Sequence, residues 1–127
     1  LKSLQGSPLL VMFWATTCPM CIEEMPHLAE LYRELKHEGF EIISIAMPYD
    51  PPNRVVTMAK DKNIPYPVAL DINGEATREF GNVSLTPTSF LVAPSGEIIR
   101  HTIGTMDMKQ LRDEIKALLE SPGGSIT

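Results

Sequence analysis

Apolar residues fill every position from Leu9 to Ala15, the longest such run in the chain. A run of this length, rich in Leu, Val, Phe and Trp, predicts a strand buried on both faces rather than an alternating surface strand. The pattern then changes period. From Pro19 to about Glu38, Met25, Leu28, Tyr32 and Leu35 recur at i, i+3, i+7 and i+10, the stripe of an amphipathic helix. Pro26 lies inside that helix and removes the N–H that would bond the Ile22 carbonyl, which predicts a kink. Gly39 stops the helix, and Phe40 to Met47 reads as a second buried strand. Beyond the loop Pro48–Pro52, a short helix over Arg54–Asn63 is stopped by Ile64-Pro65, and Pro67 to Asp71 is a short strand. Another short helix spans Gly74–Gly81. Ser89–Ala93 and Glu97–Ile103, joined by Pro94-Ser95-Gly96, predict a β-hairpin. The last helix starts at Asp107, with Gln110 three residues on in a capping-box arrangement and Leu111, Ile115, Leu118 and Leu119 on its buried face.

Strand and helix alternate, so the expected class is α/β: a central sheet flanked by helices on both faces, with an antiparallel hairpin at one edge. The chain of 127 residues, 43% hydrophobic and 21% charged, is enough for one domain with its own core. The net charge of −5 comes from intermixed acidic and basic residues, without the basic patch that nucleic acid or an anionic membrane surface requires. No apolar run approaches the roughly 18 residues of a membrane span. The start Leu1-Lys2-Ser3-Leu4 lacks the n-region and h-region of a signal peptide and reads as a processed chain, which leaves the compartment open. Pro122-Gly123-Gly124 marks residues 121–127 as a flexible tail after a domain over 1–120.

Both cysteines of the chain fall in one place, Trp14-Ala15-Thr16-Thr17-Cys18-Pro19-Met20-Cys21, at the junction of the first strand and the first helix. Two thiols at CxxC spacing can close a small disulfide ring and open it again. Pro19 suits the first helical position, which puts Cys18 at the helix N-terminus, where free N–H groups and the helix dipole favour a thiolate. The Cys18 pKa is expected below the free value of about 8.5. Cys21, one turn further in, is expected to be the less exposed partner that resolves a mixed disulfide. Other readings of the same residues stand beside this one. The cysteines could simply pack. Cys18 and Cys21, with Met20 or Met25 and His27, are also a soft ligand set suited to a Cu(I)-binding or metallochaperone module. A peroxidase of the same fold would need a different local pattern around its cysteine. A structural zinc site lacks its further ligands.

Trp14 to Cys21, then Glu24-Met25-Pro26, then Leu85-Thr86-Pro87-Thr88-Ser89-Phe90-Leu91-Val92, in this order, resemble the TlpA/ResA-type thioredoxin-like proteins, bacterial thiol–disulfide oxidoreductases. The resemblance runs from about Ser3 to Glu120. It implies a thioredoxin-like fold with a central mixed sheet, and it matches residues 40–71 to the extra strand-helix segment inserted in this family. It implies Cys18 as nucleophile, Cys21 as resolving cysteine, and Glu24 as an acidic residue beside the thiols. Among partner-binding positions it implies Trp14 packing beside the site, Pro19 and Met20 between the cysteines, Pro87 as a cis-proline facing the disulfide, and Thr86 offering its backbone to a bound strand. Met12 stands where ordinary thioredoxins carry a buried aspartate, so Glu24 is the carboxylate left to take the Cys21 proton; the bland reading is a solvated glutamate like Glu23. Thr17 replaces a usual aromatic, and the Gly-x-Pro-Glu pattern of the cytochrome c maturation branch is absent around Pro87.

The resemblance further implies a bacterial protein that is exported, periplasmic or membrane-tethered, acting on disulfide-bearing proteins. It would be fed by an upstream, membrane-bound thiol donor, with no cofactor and no metal beyond the redox-active cysteines. A monomer is expected, with cytochrome c maturation among its settings. Pro19-Met20 supplies no charge to hold a Cys18 thiolate strongly, which favours a reductase over a strong oxidant. His37 and His101 read as surface positions, and Asp61, Asp71 and Asp113 as loop or solvated-helix charges.

Overall fold

The computed structural model describes residues 6–120; the predicted tail at 121–127 lies outside the described residues. Strand β1 (Leu9–Trp14) is buried at all six positions because it lies mid-sheet, paired on both edges and covered on both faces. Side chains alternate across a strand. Leu10, Met12 and Trp14 therefore enter one core cluster, while Leu9, Val11 and Phe13 enter the other. That is why no polar residue interrupts the run.

The sheet has five strands in the order β3-β2-β1-β4-β5. β2 (Glu41–Ala46) runs parallel to β1 and to β3 (Val68–Leu70). β4 (Thr88–Val92) and β5 (Ile98–Ile103) form the antiparallel edge, β4 against β1. The sheet is mixed, as expected.

Helix α1 (Pro19–Leu35) continues through Pro26 and gives way to a single 3-10 turn over Lys36–Glu38. Gly39 closes that turn at φ +110°, a conformation a side chain would strain. Helix α2 (Pro52–Asp61) lies in the strand-helix segment between β2 and β3, α3 (Glu75–Glu79) follows β3, and α4 (Met108–Glu120) closes the chain. Asp107 caps α4 by accepting the Gln110 N–H at 3.1 Å. Leu111 and Ile115 are buried, while Leu118 and Leu119 are only partly so.

Helices do cover both faces, but unequally. α1, α2 and α4 pack on the Leu10–Met12–Trp14 side, whereas the other side has α3 and the segment through Phe80 and Val83. There Phe13, Phe80 and Phe90 make an edge-and-tilt triad with centroids 4.9–6.1 Å apart. One charge departs from its sequence reading. Asp71 is no solvated loop residue: it is buried, and its two oxygens accept the Ala76 and Thr77 N–H groups at 2.9 and 3.0 Å, capping α3. No helix among the described residues is long and apolar enough to cross a membrane.

Candidate active site

The pairing register brings four chain segments to one end of the sheet. Phe13 opposes Thr88, and Thr88 opposes Ile103, so the segments after β1, before β4 and after β5 leave the sheet together. Trp14 opposes Ala46, which adds the segment after β2. The motifs at 14–21 and 85–87 therefore meet because of strand register, across some seventy positions of sequence.

Cys18 is the N-cap of α1 and Pro19 its first helical residue, as expected. The chain reaches Cys18 by a tight turn closed by its N–H donating to the Ala15 carbonyl at 3.1 Å. The two cysteines form a disulfide, with Cα atoms 5.3 Å apart. Cys18 Sγ also accepts the Cys21 N–H at 3.2 Å. A sulfur in that position gains from a free amide and from the positive end of the helix dipole, and gains most when it is a thiolate. Cys18 keeps 8% of its surface exposed and Cys21 none. Of the two cysteines only Cys18 keeps any solvent-exposed surface.

Thr86-Pro87 is a cis peptide bond, and the Pro87 carbonyl accepts the Gly104 N–H at 2.8 Å. β4 pairing stops at Thr88, which leaves the Thr86 backbone beyond the ladder. Gly104 has φ +99°, and a Cβ there would meet the Met20 methyl at 4.0 Å. Met20 and Gly104 thus share one surface, with Pro87 buried beneath it and bonded to Gly104. Met20 is 44% exposed and Leu85, two residues before Pro87, 58%, while Pro19 and Thr17 are also exposed. Trp14 is fully buried in the core cluster that holds both cysteines, behind the disulfide rather than on the surface a partner would meet.

Glu24 is not a solvated glutamate. Its side chain is buried, 4% exposed, while neighbouring Glu23 is exposed. Oε2 accepts the Met106 N–H at 2.8 Å, and Oε1 is buried without a partner. Burial pushes its pKa up, against the Met106 hydrogen bond and the nearby His27, which pull it down. Burial also raises the Tyr66 phenol, with the Glu24 charge adding to it. The result is a buried carboxyl whose charged form is disfavoured, one helical turn from Cys21.

The Redoxin family model matches residues 1–119 of this chain. The thiol–disulfide oxidoreductase ResA of Bacillus thuringiensis subsp. konkukian is 34% identical over 118 residues, covering 93% of this chain and 67% of that protein. The chain belongs to the Redoxin family. Among solved structures, a thiol:disulfide interchange protein of the thioredoxin family from Chlorobium tepidum superposes with a TM-score of 0.84 at 28% identity, covering 93% of this chain and 83% of that one. StoA from Bacillus subtilis gives 0.74 at 28%, covering 86% and 82%. The fold is thioredoxin-like, and the resemblance to ResA-type proteins holds over most of the chain. This Redoxin is a thiol–disulfide oxidoreductase with its Cys18–Cys21 pair in place.

Among its described residues, no group of three or more His, Cys, Asp or Glu side chains is placed to hold a metal. Of the candidate soft ligands, Met25 is buried in the core and His27 is exposed. A residue that sequence reasoning passed over is bonded to the turn that leads into Cys18. Asp50, in the loop after β2, is 5% exposed and accepts from Thr16 twice: the N–H at 2.6 Å and the hydroxyl at 2.7 Å. Its only local signal is an Asp ahead of Pro51-Pro52, which is an ordinary turn composition.

Proposed function

We propose that this domain reduces disulfides of exported proteins. The observation that carries the reading is the asymmetry of the pair: Cys18 reachable and amide-bonded at the helix N-cap, Cys21 buried with Glu24 one turn away. The Cys18 thiolate attacks one sulfur of a substrate disulfide, forming a mixed disulfide and expelling the first substrate thiolate. Glu24 takes the Cys21 proton. The Cys21 thiolate then attacks Cys18 Sγ, closes the internal disulfide and expels the second substrate thiolate. Two electrons pass to the substrate, and the two substrate thiolates take up protons, one of them returned from Glu24. An upstream thiol donor, membrane-bound in this reading, restores the dithiol.

Met20, Leu85 and the Thr86 backbone supply an apolar rim and unpaired strand groups for an extended substrate segment, with Pro19 and Pro87 shaping the surface around the sulfurs. Trp14 contributes from behind by fixing the packing of both cysteines. The uncharged Pro19-Met20 pair supports the reducing direction, and the ResA relatives support a periplasmic or membrane-tethered setting, in which cytochrome c maturation is one use of the reductant.

The test is the reduction potential of the Cys18–Cys21 pair, by equilibration against defined glutathione buffers. A value near that of thioredoxin, about −270 mV, is expected. A value near about −120 mV, the strongly oxidising end, overturns the reductase reading in favour of an oxidase. Failure to form an internal disulfide at any poise, with tight stoichiometric Cu(I) binding, overturns it in favour of the copper module.

A further inference from the structure

Asp50 is a buried acid that the thiol chemistry does not use, yet both its oxygens are committed to the segment that carries Cys18. Thr16 and Thr17 are the central residues of the turn closed by Cys18 N–H on the Ala15 carbonyl. Asp50 grips the first of them from both sides, through its N–H and its hydroxyl. The gripping loop is itself anchored: Asp50 N–H donates to the Met47 carbonyl at 3.0 Å, and Met47 N–H to the Trp14 carbonyl at 2.9 Å. A closed circuit therefore runs from Trp14 to Met47, Asp50, Thr16 and Cys18, and it ends at the sulfur that accepts the Cys21 N–H. Thr16 is buried while Thr17 is exposed, so the turn is held on its inner side only.

We propose that Asp50 is a positioning residue for Cys18: by clamping Thr16 it fixes the turn that aims the Cys18 sulfur at the first amides of α1. This role rests on the reading of Cys18 as the attacking sulfur. The alignment matters because a hydrogen bond to sulfur weakens steeply as its angle opens, and it is worth more to the thiolate than to the thiol. A loosened turn withdraws stabilisation from the thiolate alone. A bare charge effect would act in the opposite sense, since removing a negative carboxylate near Cys18 favours its thiolate. The other charged groups nearby are Arg54, Asp61 and Lys62, which line a cleft of about 310 Å³ with Thr16, and Glu24 on α1.

The experiment is the pH profile of Cys18 alkylation by iodoacetamide in the reduced full chain, for the wild type and for D50N, T16V and T16S. Below the thiol pKa the rate follows the thiolate fraction, tenfold per pH unit. D50N and T16V should both move the midpoint upward, lowering the rate at pH 6 by about threefold to tenfold. T16S, which keeps the hydroxyl, should retain the wild-type profile. A downward shift in D50N with no shift in T16V would show a plain charge effect and overturn the positioning role. Lower melting temperatures with unshifted profiles would make the clamp merely structural and overturn it too. Should D50N fail to fold, T16V against T16S decides. If wild-type Cys18 shows no titrating reactivity while Cys21 does, the assignment of the attacking sulfur fails, and the role of Asp50 falls with it.

Discussion

Glu24 has one carboxylate oxygen bonded to the Met106 amide and the other buried without a partner, and that imbalance has thermodynamic consequences. Its folded-state pKa lies above the ordinary 4.5, chiefly because burial penalises the charge. Well below pH 4.5 both folded and unfolded chains carry the proton, and the residue is neutral to stability. As pH rises, the unfolded chain ionises first, so stability is withdrawn until the pH passes the folded pKa. Glu24→Gln should therefore be more stable than wild type at pH 7, with the gain shrinking toward pH 4, as read by urea unfolding at each pH. The same variant should slow the resolving step by about a hundredfold, the low end for a general base because a thiol is already acidic. Stopped-flow decay of a preformed mixed disulfide checks that. Cys21→Ser should instead stop at the mixed disulfide on Cys18, visible as a stable adduct by intact mass. That Glu24 shares a helix face with Cys21 was readable from the spacing of three; its burial was not, because the cover comes from Met106, eighty-two positions away.

α3 is too short to stand alone, since isolated helices of such length are marginal in water. It persists because Asp71 satisfies two of its free N–H groups and because Ala76 and Phe80 lie on the second core cluster. Asp71→Ala should cost roughly 1–3 kcal/mol by urea denaturation, the range of a lost cap with charge-assisted bonds. It should leave the Cys18 alkylation rate within about twofold, because α3 lies on the sheet face away from α1. Longer elements were legible in advance. The α1 stripe through Met25, Leu28, Tyr32 and Leu35 is buried at every position, and the Asp107 cap of α4 is where its sequence put it. Both depend on local periodicity and local hydrogen bonding, which a linear pattern records.

Across the domain, stability should be graded outward from β1, the strand with two neighbours and two covered faces. Hydrogen exchange should find the Val11–Phe13 amides slowest, with β3 and β5, the edge strands, exchanging far faster. Uniform protection across all five strands would contradict that gradient. The run Leu9–Ala15, the helical stripe, the turn residues and the CxxC at a strand-helix junction sufficed for the α/β class, the order of elements and the two reacting sulfurs, because each is a property of near neighbours. The rest depended on register and enclosure. Phe13 opposite Thr88 brings the Thr86-Pro87 segment to the end of the sheet where β1 leads into the cysteines, Met106 closes over Glu24, and Asp50 reaches Thr16 from thirty-four positions away. Each such contact joins segments remote in the chain, and a short carboxylate looks the same in sequence whether it meets water or a buried amide. Folding alone selects between them, by excluding water from one and not from the other.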